Sequence, residues 1–127
     1  MSLEEIVADV RAFGVNLVEV TGGEPLVHRE SFTLMTMLAD QGFDVMLETS
    51  GSISIEEVDE RVHVVMDLKA PDSNEAAANL WSNLDHLKHG DDIKIVLASR
   101  ADYEWALSAV REHNLSRFNI LFSPVNV

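Results

Sequence analysis

Apolar residues recur along the chain with two periods, one helical and one of short continuous runs. Leu3, Ile6, Val7, Val10 and Phe13 fall at helical spacing and stop at Gly14, and Ser2 with Glu5 has the separation of a capping box. This predicts an opening amphipathic helix. Val-rich runs too short for helices predict strands over Asn16 to Val20, Phe43 to Leu47, Val62 to Met66, Ile93 to Leu97 and Phe118 to Phe122. Between the first two strands, Phe32, Met35, Leu38 and Ala39 mark a second helix ended by Gly42. Ser54 with Glu57 has capping-box spacing and predicts a short helix over Ile55 to Glu60. The stretch from Asp72 to Lys88 is helical in pattern but broken, so one helix or two short ones are expected. Ser99 is placed to cap a helix whose Tyr103, Ala106, Leu107 and Val110 share a face. Strands alternating with helices in this way define an α/β fold with a parallel sheet.

Length and charge narrow the picture. The 127 residues suit one domain, 1–127, and fall short of the roughly 250 of an eight-stranded α/β barrel. A net charge of −13 with only 9 Lys and Arg argues against a nucleic-acid or anionic-membrane partner, which needs clustered cations. Small molecules are the better candidates. No apolar run reaches a membrane span, and no basic region precedes an apolar stretch at the start, so a cytoplasmic location is expected. There is no cysteine, which rules out disulfides, thiolate zinc sites and cysteine-ligated iron–sulfur clusters on this chain alone.

Candidate chemistry lies where the strands end. The first strand runs into Thr21-Gly22-Gly23-Glu24-Pro25, where paired glycines admit close approach to the backbone and Pro25 fixes the chain direction after Glu24. A plain glycine-rich turn with a solvated glutamate explains these residues equally well. The second strand ends in Glu48-Thr49-Ser50-Gly51 and the third in Asp67-Leu68-Lys69-Ala70-Pro71; the last ends in Ser123-Pro124. In a parallel sheet all these carboxyl ends lie on one side, the usual place for a ligand.

Taken together, Thr21 to Pro25 at a strand end, Glu48 to Gly51 and Asp67 to Pro71 resemble the radical S-adenosylmethionine superfamily, and within it most closely the 7-carboxy-7-deazaguanine synthases. Asn79-Leu80, Ile93-Lys94-Ile95-Val96, Arg100 to Ala106 and Leu121 to Val125 are similar to that family as well. The resemblance implies a partial (β/α)6 barrel of about five parallel strands with outer helices, lacking its first strand. It implies that Gly22, Gly23 and Glu24 meet the amino-acid end of S-adenosylmethionine. Thr49, Ser50, Asp67, Leu68, Lys69, Ser123, Pro124, Val125 and Asn126 would line the rest of that cofactor. Thr21 would touch the substrate, 6-carboxytetrahydropterin in the family, and Glu48 would face substrate or cofactor. Lys69 has the alternative of a structural ion pair with Asp67 or Glu48.

The same resemblance sets out departures. The family's four-iron, four-sulfur cluster is held by cysteines that this chain does not have, and its magnesium-binding threonine has no counterpart, so neither group is expected here. The chain reads as a truncated synthase, inactive alone. One alternative is a module that binds S-adenosylmethionine or a nucleoside and complements a cluster-bearing partner. Another is an unrelated α/β enzyme using Glu24, Glu48 and Asp67 as acid/base or metal-binding carboxylates. A homodimer through exposed sheet edges or an apolar open barrel face is also expected.

Overall fold

The computed structural model describes residues 1–125; the expected cofactor contact at Asn126 lies outside them. Helix α1 spans Leu3–Ala12, and its first turn is closed by Ser2, whose Oγ accepts from Glu5 N at 3.1 Å. Strand β1 (Leu17–Val20) follows, then a 3-10 turn at Pro25–Val27 and helix α2 over Arg29–Asp40. Strands β2 (Asp44–Thr49) and β3 (His63–Leu68) come next. Strand β4 (Asp92–Leu97), helix α3 (Arg100–Glu112, capped by Ser99) and strand β5 (Asn119–Pro124) complete the chain.

The five strands form one parallel sheet in the order β1-β2-β3-β4-β5. This is the expected α/β architecture, and it is compatible with a segment of barrel wall. Alternation decides the two faces. Val45, Leu47, Val64, Met66, Ile93 and Ile95 are buried and form the core with Met35 and Leu38 of α2 and Ala106 and Ala109 of α3. Each of these Val, Leu, Ile and Met side chains contributes about 1.5–3 kcal/mol by leaving water.

The opposite face corrects an expectation. Alternation and register place Glu19, Glu48, His63, Asp67, Asp92, Lys94 and Asn119 there. Polar contacts cross it: His63 Nε2 lies 3.1 Å from Asp92 Oδ2, and Asn119 Nδ2 donates to Asp92 Oδ1 at 3.0 Å. The open face is therefore mainly polar and charged, with Leu17, Met46, Val65, Val96 and Leu121 as its apolar members, and it is not the apolar surface expected.

Two connections also differ from expectation. Residues 55–60 form turns and no helix: Ser54 Oγ accepts from Glu56 N at 3.2 Å, two residues on, so the capping box does not form. The segment between β3 and β4 holds three 3-10 turns, Pro71–Ser73, Ala76–Ala78 and Trp81–Asp85, in place of a helix. Asn74 in the left-handed region, φ +61°, breaks the path after the first turn.

Candidate functional site

Strands β2, β3 and β5 each run about two residues further than the apolar pattern predicts, so Glu48, Thr49, Asp67, Leu68, Ser123 and Pro124 belong to strands. Register bonds hold these residues in line and aim alternate side chains, Glu48, Asp67 and Ser123, at the open face.

Glu24 is tied to the end of β2. Its Oε1 accepts from Ser50 N and Ser50 Oγ, each at 3.1 Å, and from Thr49 Oγ1. Its Oε2 is buried and has no partner among the described residues. Ahead of it, Gly22 and Gly23 have φ of +92° and +55°, and a Cβ on either would meet open space. The left-handed backbone explains the choice of glycine. The open surroundings leave the main chain accessible.

A second carboxylate sits two strands away with the same arrangement. Asp67 Oδ2 pairs with Lys69 Nζ at 2.9 Å, while Asp67 Oδ1 is buried and without a partner among the described residues. The Asp67–Lys69 ion pair, weighed as a structural alternative for Lys69, is thus formed. It does not exhaust either residue, because Lys69 also lines two clefts. One, of about 250 Å³, is bounded by Asp67, Lys69, Val96, Asp102 and Val125. The other, of about 390 Å³, is bounded by Ser50, Ser52, Lys69, Asn74 and Glu75.

Of the other sequence-predicted residues, Thr21 is exposed at the end of β1, and Ser123 and Pro124 occupy the last positions of β5. Leu68 lines the smaller cleft, yet only 3% of it is exposed and it packs in the core. Glu48 has Lys94 Nζ 4.0 Å away and lies beside Glu19 of β1. Hydrogen bonding to the Glu48 carboxyl, favoured when one of the pair is protonated, holds the Glu19 carboxyl above its ordinary range, with burial and repulsion adding to it.

Three positions beside the candidate site escaped sequence reasoning. Lys94 looked like an interior strand residue, and register alone puts it opposite Asp67. Asp102 is buried, accepting from Asp72 N at 3.0 Å and Ala98 N at 2.9 Å, and so shapes the smaller cleft. Its place three residues after the Ser99 cap was a usable signal. Glu19 carried no signal beyond its place in a strand.

A parallel α/β sheet whose strand ends gather two half-satisfied carboxylates, an open glycine turn and adjoining clefts has the arrangement in which α/β domains as a class hold small ligands. No family model matches the chain. Comparison with curated proteins is informative: it is 42% identical to the 7-carboxy-7-deazaguanine synthase of Chlorobaculum tepidum, covering 98% of this chain and 59% of that protein. The synthase of Koribacter versatilis is 41% identical (98% of this chain, 57% of that one), and that of Thermoplasma acidophilum 32% (96% and 59%). The chain is homologous along nearly its whole length to these 7-carboxy-7-deazaguanine synthases and spans somewhat over half the length of these relatives. Homology along nearly the whole chain sets aside the reading as an unrelated α/β enzyme.

Proposed function

We propose that this chain forms the cofactor-facing part of a radical S-adenosylmethionine enzyme of the 7-carboxy-7-deazaguanine synthase type, in a partial barrel. The observation that carries the reading is Glu24 Oε2, a buried carboxylate oxygen without a partner among the described residues, beside an accessible Gly22–Gly23 turn. An unpaired buried carboxylate oxygen is costly, and an ammonium group, with three donors and a full charge, is its natural complement. The amino-acid end of S-adenosylmethionine fits there. The remainder of the molecule would run past Ser50 and over Lys69 into the cleft bounded by Asp67 and Val125. Thr21 and Glu48 would then face the pterin substrate from the adjoining strands.

When bound beside a cluster, the cofactor supplies radical chemistry; the residues of this chain bind and orient it. A thiolate-held cluster does not fit them, because the sequence contains no cysteine. Among the described residues no three His, Asp or Glu side chains are grouped to hold a metal ion. Calorimetric titration with S-adenosylmethionine tests the reading: micromolar binding supports it, and absence of binding at millimolar ligand overturns it.

A module that completes a cluster-bearing partner, or a homodimer, is favoured by a different observation. Strand β1 is an edge strand, and Phe13, Val15 and Leu17 are exposed beside it. The polar open face gives no support to face-to-face stacking, so the pairing in this reading is through edges.

A further inference from the structure

We infer that Asn79 and Asn83 are positioning residues for the two ligand-facing carboxylates, Glu24 and Asp67. Both come from the 3-10 segment between β3 and β4, four residues apart, and each reaches the loop that follows a different strand. Asn83 is fully buried: its Oδ1 accepts from Ile55 N at 2.9 Å, and its Nδ2 donates to Gly51 O at 3.0 Å and Ile53 O at 2.9 Å. Asn79 brackets one residue, Oδ1 accepting from Lys69 N and Nδ2 donating to Lys69 O, both at 2.9 Å. A carboxamide offers an acceptor and a donor side by side, as a peptide group does, so each asparagine acts as a rung of ladder beyond the strand's end.

What they hold is specific. The loop fixed by Asn83 begins at Gly51, directly after Ser50, whose N and Oγ tie off Glu24 Oε1. The residue bracketed by Asn79 is Lys69, whose Nζ ties off Asp67 Oδ2. In both cases the other oxygen is buried and unpaired among the described residues. Such an oxygen gains from any rotation that finds it a donor, so it stays unpaired only where its neighbours are held rigidly. The two asparagines supply that rigidity and thereby decide which carboxylate oxygen a ligand meets. This also accounts for the missing helix: an asparagine that brackets a distant loop cannot do so from an arbitrary helical face.

The inference rests on the proposed function only for the identity of the ligand. Asn83→Asp and Asn79→Asp keep the shape and the acceptor but lose the donated bonds. In amide-resolved NMR of the 127-residue chain, Asn83→Asp should shift the Ser50 amide and lower its exchange protection about tenfold relative to Ile95, leaving Lys69 unmoved. Asn79→Asp should do the converse. A core control of comparable destabilisation, Ile93→Val, should move neither. If both amides are unchanged in the folded variants, or the control moves them equally, the inference is overturned. Should Asn83→Asp not fold, the wild-type Asn83 carboxamide protons decide: strong protection supports the inference, and free exchange overturns it. In titrations with S-adenosylmethionine each Asp variant should bind about tenfold more weakly, with the control unchanged; equal affinity in all three overturns it. A wild type that binds none defeats the proposed ligand alone, and the amide readout still decides the positioning role.

Discussion

At Gly51 a single methyl group has nowhere to go. The residue has φ +74°, and a Cβ there would lie 2.7 Å from Met66 Cγ and 2.9 Å from Met66 Sδ. Met66 is buried in the core, so it cannot swing into solvent. Gly51→Ala should therefore lower the stability read from urea unfolding by about 1–3 kcal/mol through overpacking, with backbone strain adding about 1–2 kcal/mol. Gly23 presents the opposite case. Its φ of +55° disfavours a side chain, yet the space around it is open. Gly23→Val should leave the far-ultraviolet circular dichroism close to wild type while abolishing binding of S-adenosylmethionine, since the branched side chain fills the approach to the main chain. Binding equal to wild type would remove Gly23 from the site.

Between elements, the contact of Glu19 on β1 with Glu48 on β2 makes stability depend on pH. Because Glu19 is held above the ordinary glutamate value of 4.5, the folded chain keeps a proton that the unfolded chain has already released. Stability contributed by that proton is present below pH 4.5 and falls as pH rises through the raised folded value. Glu19→Gln should match wild type at low pH and become the more stable of the two as pH rises, seen as a higher thermal midpoint at pH 7. Strands and α-helices were largely legible in the sequence because Val, Ile and Leu runs and the Ser2 and Ser99 caps act locally. The connections were not. Ser73 Oγ donates to Ala70 O at 2.7 Å and accepts from Glu75 N at 3.1 Å, a local alternative to helix that the apolar pattern does not register. Trp81 leaves the same segment to stack on His113, ring centroids 3.8 Å apart, which draws it onto α3. The glycine turn and the two carboxylates of the site could be picked out by resemblance, whereas Lys94 and the bracketing asparagines depend on register and long-range contact.

For the whole molecule, a charge of −13 meets two open edges. Leu17 and Phe13 are exposed beside β1, and Leu121 and Phe122 on β5. Sedimentation across a dilution series should show a reversible dimer that strengthens with salt, as screening weakens the repulsion while apolar contact persists. A monomer at high micromolar concentration in both low and high salt would exclude edge pairing. The strand order has a consequence for how the molecule is made. Each strand after the first pairs with the one that precedes it in the chain, so in the sheet no strand waits for a later one to supply its first partner. During synthesis the template for every new strand is already in place when that strand leaves the ribosome. The sheet grows at one side in the direction of translation, and on that side a nascent chain has a single advancing edge to shield at any moment.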